Sequence, residues 1–267
     1  MKKKTIVITG STRGIGFGLA SEFLRLGHSV VINGRSENTV KKAVSELQKI
    51  NDSVIGINGS VNIQHTHENL IEKAISRFEK IDIWINNAGI PQPYDLFNRI
   101  ESKDLKNIID TNIYGLMLGT NLAANFMLQQ GFGKIFNMEG FGSDGRILKK
   151  LTLYGTTKRA VNYFTKSASK EFENSPVQIG ILSPGMVRTE FIEKSMDLAS
   201  PEELKDYMKV YDILAEEVDV VTKFLVKNIL KSSKNYDRIE FLTKTKTFFK
   251  MLKMFIKEYF KKNIHGR

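Results

Sequence analysis

The sequence predicts one doubly wound α/β domain, in which helices flank a parallel sheet of about seven strands. Short β-branched runs alternate along the chain with longer segments of helical periodicity, and this alternation is typical of repeated βαβ units. The length of 267 residues fits a single domain, and 41% hydrophobic residues can fill one sizeable core. The chain has no cysteine, which excludes disulfides and zinc fingers and favours an intracellular, cytoplasmic protein.

Each predicted element has its own signal. Strands are predicted from short β-branched runs, and helices from apolar residues that recur every three or four positions. The predicted strands are Thr5–Thr9, Ser29–Asn33, Ser53–Ile57, Ile81–Asn86, Gly133–Met138, Pro176–Leu182 and Arg238–Leu242. The predicted helices are Ile15–Leu26, Glu37–Ile50, Gln64–Glu79, Ser102–Gln130 with a break near Asn112, Leu153–Glu173 and Glu216–Leu230. A long insertion then separates Pro184 from Glu216, and we expect residues 186–215 to form a substrate lid.

Positive charge is concentrated at the carboxyl end of the chain. Residues 243–267 hold eight Lys and Arg against one Glu, which is most of the formal net charge of +11. Residues 1–243 are therefore too weakly basic for a nucleic-acid-binding domain, and we treat residues 244–267 as a separate tail. No apolar run approaches the length of a membrane span, and the run after Lys4 is too short for a signal peptide.

The tail has the pattern of a basic amphipathic helix over residues 245–262. At about 100° per residue, an apolar arc lies opposite a lysine arc. The apolar arc holds Phe248, Leu252, Phe255, Ile256 and Tyr259, and the lysine arc holds Lys246, Lys250, Lys253, Lys257 and Lys261. Such a helix can lie on an anionic membrane surface with its lysines at the headgroups. The alternative is a final helix that packs on its own domain or on a partner subunit.

A glycine-rich turn follows the first predicted strand. It is the sequence Thr9-Gly10-Ser11-Thr12-Arg13-Gly14-Ile15-Gly16. Glycines there permit a tight turn and close approach of backbone amides to a pyrophosphate, which the helix amino terminus attracts. An ordinary glycine turn would look similar, but the first strand–helix junction of an alternating chain favours a dinucleotide site.

Further motifs follow in order along the chain. They are Asn86-Asn87-Ala88-Gly89 after the fourth strand, Asn112 in the next helix, Tyr154 and Lys158 in a later helix, and Pro184-Gly185-Met186-Val187-Arg188-Thr189 after the sixth strand. With the glycine turn, this set resembles the short-chain dehydrogenase/reductase family over residues 4–242. The resemblance implies a Rossmann-type fold, an oxidoreductase and a homo-oligomer. It also implies cofactor contacts from Gly10, Ser11, Arg13, Gly14, Ile15, Gly16, Asn87, Ala88, Gly89, Tyr154, Lys158, Pro184, Gly185, Val187 and Thr189.

Tyr154 and Lys158 are the predicted acid–base pair. They are four residues apart and so project from one helical face, where the ammonium favours the phenolate of the neighbouring phenol. Tyr154 would then protonate a carbonyl oxygen as a nicotinamide delivers hydride. The resemblance adds that Lys158 holds the cofactor ribose and that Asn112 positions a water that leads to solvent. It also places a serine 13 residues before the tyrosine, where this chain has Phe141; Ser143 is the nearby substitute, although it could be an ordinary loop serine.

The segment before Ser143 departs from the family pattern, because Glu139-Gly140 replaces the usual serine pair. With Tyr154-Gly155-Thr156-Thr157-Lys158, this segment resembles the chlorophyll b reductase branch of the family. Members of that branch reduce a formyl group on a large, flat, hydrophobic macrocycle at a membrane. The resemblance therefore implies a bulky hydrophobic substrate and a peripheral membrane location.

NADP(H) is the expected cofactor, because no carboxylate ends the second strand. Arg35 lies there and Arg13 lies in the glycine turn, and paired guanidinium groups suit a 2′-phosphate. Both could instead be solvated loop charges. Ser60 and Val61 stand where the family commonly has an Asp-Val pair beside the adenine. The four histidines lack the spacing of a metal site, so no metal is expected.

The sequence thus predicts an NADPH-dependent enzyme that reduces an aldehyde or ketone on a bulky hydrophobic small molecule. Two alternatives stay open. One is a sensor that binds NADP(H) with little catalysis, and the other is a membrane-surface scaffold.

Overall fold

Seven strands form one parallel sheet among residues 2–191 and 196–253, which are the residues described by this computed structural model. The spatial order is β3-β2-β1-β4-β5-β6-β7. The strands are β1 Thr5–Ile8, β2 Ser29–Gly34, β3 Val54–Asn58, β4 Ile83–Asn86, β5 Gly133–Met138, β6 Val177–Ser183 and β7 Arg238–Glu240. All seven predicted strands are confirmed, with ends shifted by two residues at most.

Helices connect the strands and cover both faces of the sheet. They are α1 Gly14–Arg25, α2 Glu37–Gln48, α3 Gln64–Phe78, α4 Ser102–Ile109, α5 Gly115–Gln130, α6 Thr152–Glu171, α7 Pro201–Leu214 and α8 Val218–Lys231. A π-helical turn, Asp110–Tyr114, joins α4 to α5 and confirms the break near Asn112. Helix α7 lies inside the predicted lid and was not predicted.

The core has two layers because side chains alternate across each strand. Ile6 and Ile8 pack in the layer with α1, α2 and α8, whereas Val7 packs in the opposite layer with α3 and α5. Trp84, which is fully buried, belongs to the second layer. Strand β1 pairs with β2 on one side and with β4 on the other. The winding therefore reverses between β1 and β4, and a crevice opens there at the carboxyl ends of the strands.

Residues 244–253 of the tail are helical. The Lys246 ammonium lies 5.0 Å from the Phe224 ring centre and 4.4 Å from that of Phe241. The Lys250 ammonium lies 2.5 Å from a carboxylate oxygen of Glu216. These two lysines of the predicted lysine arc therefore contact the domain.

The apolar arc of the tail points outward in the described part. Phe248 is 63% exposed and Leu252 is 41% exposed, as is the neighbouring Phe249 at 62%. The predicted arc members Phe255, Ile256 and Tyr259 lie outside the described residues. No helix that the structure describes is both long enough and apolar enough to cross a membrane.

Candidate active site

The glycine turn lies between β1 and α1, at the crevice. Gly10 has φ +59°, and a Cβ there would lie 2.6 Å from Cα of Ala88. A Cβ on Gly16 would lie 2.6 Å from the Gly10 carbonyl oxygen, and Gly14 has φ +56°. Glycine is therefore required at these positions, and no side chain of the described residues caps the amino end of α1 by a hydrogen bond. That cradle fits the pyrophosphate of a dinucleotide, which the backbone amides of this turn would hold.

Hydrogen bonds from the end of β4 fix the turn. The Thr9 hydroxyl accepts the N–H groups of Asn87 and Ala88, each at 3.1 Å. The Asn87 side-chain amide donates to the carbonyls of Thr9 at 3.0 Å and Gly10 at 2.8 Å. The two motifs that the sequence separates by almost eighty residues are thus one structure.

Ser11 and Ile15 lie behind this turn. The Ser11 hydroxyl is fully buried, donates to the Ile8 carbonyl at 2.6 Å and accepts the Asn33 N–H at 2.9 Å. Ile15 packs against the core layer of α1. Both residues help to shape the turn, and their assignment as cofactor contacts stays a prediction.

The predicted adenosine end of the site is polar and open. Arg13 donates to Glu190 at 3.0 Å, and both side chains are more than half exposed. Arg35 is exposed just beyond β2, while Ser60 and Val61 follow β3 with Val61 buried. Because an exposed ion pair contributes little free energy, a phosphate could replace Glu190 as the partner of Arg13.

Four predicted residues meet at the carboxyl ends of β4 and β5. The Lys158 ammonium donates to the Met138 carbonyl at 3.1 Å and lies 5.7 Å from the centre of the Tyr154 ring. A Cβ on Gly89 would lie 3.4 Å from Oδ1 of Asn112 and 3.6 Å from Nζ of Lys158. Tyr154, Lys158, Asn112 and Gly89 therefore line one small region.

Asn112 holds the segment after β4 in place. It is fully buried in the π-helical turn, accepts the Ile90 N–H at 2.8 Å and donates to the Ile90 carbonyl at 3.0 Å. Its amide also donates to the Thr157 hydroxyl on α6 at 3.3 Å. Asn112 thus joins the loop, the π-helical turn and the helix that carries Tyr154.

Burial controls the protonation of the acid–base pair. It raises the pKa of Tyr154 above its ordinary value, and the neighbouring Tyr207 adds to the rise. It lowers the pKa of Lys158 to about 8, although the charge of Glu139 opposes the change. Desolvation therefore opposes the phenolate that the ammonium of Lys158 is expected to favour, and it keeps Tyr154 protonated.

Gly140, rather than Phe141, faces the Tyr154 hydroxyl. A Cβ on Gly140 would lie only 2.4 Å from the Tyr154 oxygen. The family spacing of 13 residues before Tyr154 pointed to Phe141, and it is therefore wrong by one residue. The loop before α6 is one residue longer than that spacing assumes. Ser143 is 5% exposed, and its backbone N–H donates to the Gly140 carbonyl at 3.2 Å. Its assignment as the substitute serine stays a prediction.

Gln92 positions Tyr154 and was missed by sequence reasoning, since it lies outside every motif. It is 1% exposed, accepts the Tyr154 N–H at 2.6 Å and donates to the Lys150 carbonyl at 2.7 Å. The Lys150 ammonium in turn lies 2.7 Å from Glu203 on α7 and 5.0 Å from the centre of the Tyr94 ring. This chain of contacts joins the lid to the predicted acid.

The lid begins beside the glycine turn. Pro184 is buried, and Gly185 has φ +73° next to Leu242. Val187 pairs with Glu216, which brings the two ends of the predicted lid together. From there Thr189 comes within 3.6 Å of a Cβ built on Gly14.

Aromatic residues of the lid lie over Tyr154. The Phe191 ring lies 5.7 Å from the Tyr154 ring, and burial raises the pKa of Tyr207 on α7 to about 12. A cavity of about 350 Å³ lies beside this region. It is lined by Ile90, Pro91, Gln92, Pro93, Tyr94, Asp104, Asn107, Ile108, Asp197 and Leu198.

Comparison with known proteins gives consistent matches. The sequence profile of the short chain dehydrogenase family matches residues 4–200. Chlorophyll(ide) b reductase NOL of Arabidopsis thaliana is 38% identical over 92% of this chain and 72% of its own length. The 3-oxoacyl-[acyl-carrier-protein] reductase FabG of Aquifex aeolicus is 30% identical over 86% of this chain and 92% of its own length.

Solved structures share the fold. The closed form of serine dehydrogenase complexed with NADP+ matches with a TM-score of 0.77 and 23% identity, over 89% of this chain and 94% of its own. A short chain dehydrogenase/reductase from Burkholderia phymatum in complex with NAD has a TM-score of 0.78 and 20% identity, over 89% and 88% of the two chains.

Proposed function

This chain belongs to the short-chain dehydrogenase/reductase family, and we propose that it is an NADPH-dependent reductase of a carbonyl group on a bulky hydrophobic molecule. The meeting of Tyr154, Lys158 and Asn112 beside a glycine turn carries the proposal. When bound, the nicotinamide supplies hydride. The chain itself supplies a phenol that burial keeps protonated and therefore able to donate.

Each polar residue has a distinct task in this proposal. Tyr154 holds the proton at its hydroxyl and gives it to the substrate oxygen. Lys158, fixed by the Met138 carbonyl, carries positive charge that stabilises the phenolate left behind. Asn112 keeps the loop at Ile90 and the helix of Tyr154 in register. The aromatic lid residues exclude water, which strengthens these electrostatic interactions.

The preference for NADPH over NADH is assigned to Arg13 and Arg35. Arg13 lies in the glycine turn and Arg35 lies just beyond β2, which ends in Asn33-Gly34 without a carboxylate. A phosphate dianion gains more from two guanidinium groups than does a ribose hydroxyl. Glu190 partners Arg13 at 3.0 Å, so phosphate binding would exchange one anion for another.

A formyl-bearing tetrapyrrole is the proposed substrate class, which the names of the chlorophyll(ide) b reductase relatives support. The cavity of about 350 Å³ is near the lower end of the roughly 300–1,000 Å³ of small-molecule sites. We therefore expect only the carbonyl-bearing edge of a macrocycle to enter, while the remainder stays against the lid. The exposed Phe248, Phe249 and Leu252 support a tail that contacts the membrane from which such a substrate comes.

The test is NADPH consumption with a panel of aldehydes and ketones that includes formyl tetrapyrroles. We expect turnover with the parent chain and none with Tyr154→Phe, because the variant keeps the ring and loses the proton donor. NADPH affinity should be unchanged in the variant. Substantial turnover by Tyr154→Phe would contradict the assignment, and stoichiometric NADPH binding without turnover on the whole panel would favour the sensor.

A further inference from the structure

We propose that Glu139 is a positioning residue for this reaction: its buried carboxylate holds Lys158 in the charged form and fixes it against the carboxyl end of β5. The inference rests on the proposed function, since it assigns Lys158 a role in cofactor binding and catalysis. Glu139 is not among the predicted site residues. Glu139-Gly140 stands where the family pattern has a serine pair.

The Glu139 carboxylate is inside the protein. Its side chain has 0% exposure, and its backbone N–H donates to the Leu182 carbonyl at 2.9 Å. One carboxylate oxygen accepts the Asn162 amide at 2.5 Å. Asn162 is four residues after Lys158 on α6, so the two side chains project from the same face of that helix.

The backbone also connects the carboxylate to the lysine. The Lys158 ammonium donates to the carbonyl of Met138, the residue just before Glu139. The same helix face thus meets this strand end twice, through Lys158 at Met138 and through Asn162 at Glu139. A negative charge on the Glu139 carboxylate attracts the Lys158 ammonium.

The second carboxylate oxygen forms an ion pair with Arg238. It lies 2.6 Å from Nη1 of Arg238, but outside hydrogen-bonding geometry. Arg238 is 30% exposed and also lies 3.7 Å from Glu240. Burial of the Glu139 carboxylate costs desolvation free energy, whereas Glu240, which also lies near Arg238, is partly exposed. An ion pair with Arg238 alone would not require a buried carboxylate.

The titratable and charged groups around this pair are Tyr154 on α6, Tyr236 before β7, and Arg238 and Glu240 on β7. Burial lowers the pKa of Lys158, and Glu139 is the neighbour whose charge raises it again. With a pKa of about 8, Lys158 is mostly charged at neutral pH, and removal of the Glu139 charge would bring its titration into the neutral range.

The experiment compares Glu139→Gln with Glu240→Gln. Both remove one carboxylate from beside Arg238 without a change of shape, but only the Glu139 carboxylate is fully buried and raises the pKa of Lys158. The measurement is the affinity for NADPH from about pH 6 to pH 10, which follows the attraction of charged Lys158 for an anionic cofactor. The parent and Glu240→Gln should lose affinity around pH 8, and Glu139→Gln should lose it about one pH unit lower.

Coincident pH profiles for the two variants would overturn the proposal, even if Glu139→Gln were less active or less stable. If Glu139→Gln has no cooperative thermal transition, Glu139→Asp replaces it. That variant keeps the charge one methylene further away, so a smaller fall in the midpoint is expected and an unchanged midpoint would contradict the proposal. Binding is measured without substrate, so the absence of carbonyl reduction would refute the proposed function alone.

Discussion

Substitution of Gly140 by alanine tests the geometry of the predicted acid. The added Cβ would lie 2.4 Å from the Tyr154 oxygen, whereas ordinary contacts begin at 3.4 Å, so the hydroxyl must retreat by about 1 Å. A displacement of about 1 Å in a reacting group can lower the rate roughly 100-fold. That factor corresponds to about 2.7 kcal/mol in the activation barrier.

The assay is kcat/KM for carbonyl reduction with NADPH saturating, together with the thermal midpoint and the NADPH affinity. Gly155→Ala is the matched control. It adds the same methyl group next to Tyr154 in the sequence, but among the described residues outside its own helix the nearest atom to its Cβ would be Cα of Gly142, at 3.9 Å. We expect Gly155→Ala to keep the parent rate, and both variants to bind NADPH.

Two outcomes would refute the reasoning. If Gly140→Ala keeps kcat/KM within about threefold of the parent, the Tyr154 hydroxyl does not depend on the space that Gly140 leaves. If Gly140→Ser is much faster than Gly140→Ala, a hydroxyl at this position helps the reaction, and the fit against Tyr154 is not the limiting factor. We expect Gly140→Ala and Gly140→Ser to lose equal factors in kcat/KM.

Three other predictions concern charge and the tail. Lys158→Met should raise the free energy of unfolding by about 3 kcal/mol at pH 7, because burial lowers the lysine pKa from 10.5 to about 8. In the parent chain, the destabilisation caused by burying the charged lysine should disappear as pH rises from 8 to 10.5. Denaturant titration of both proteins at the two pH values checks both statements. Arg13→Ala with Arg35→Ala should weaken NADPH far more than NADH in binding titrations, and equal weakening would contradict the selectivity argument. Removal of residues 244–267 should abolish binding to anionic liposomes and leave the NADPH affinity unchanged. It should also lower the thermal midpoint by a few degrees, because the contacts of Lys246 and Lys250 are lost. If the intact chain does not bind liposomes at any salt concentration, the tail does not contact membranes.

The sheet could be predicted because local and global preferences agree along it. Runs such as Ser29–Asn33 are β-branched, bounded by turn residues and buried on both faces. The break near Asn112 could also be predicted, and it is a π-helical turn in which that side chain bonds two other segments. Helix α7 was missed although Ser200 and Glu203 form a capping box around Pro201. Most of that helix is exposed, with Tyr211 its one buried residue, and the length of the insertion indicated only a lid.

The site could be predicted where it depends on strand ends and helix spacing. Tyr154 and Lys158 follow from one helical turn, and Gly10 from a turn that only glycine can make. Gly140 could not be placed by counting back from Tyr154, since loop length has no fixed period. Gly140 can instead be placed from the end of β5, because it lies two residues after Met138 and the sheet fixes that strand end.

In the tail, too, periodicity predicts less than the structure shows. Its pattern separates an apolar arc from a lysine arc, but it does not say which arc finds a partner. Phe224 and Phe241 pack edge to face at 5.3 Å, and their ring faces attract the ammonium of Lys246. Glu216, at the base of the lid, then pairs with Lys250. Because the ammonium groups of Lys246 and Lys250 contact the domain, Phe248 is turned outward. The surface that the described part of the tail exposes is therefore more aromatic and less basic than the sequence alone implies.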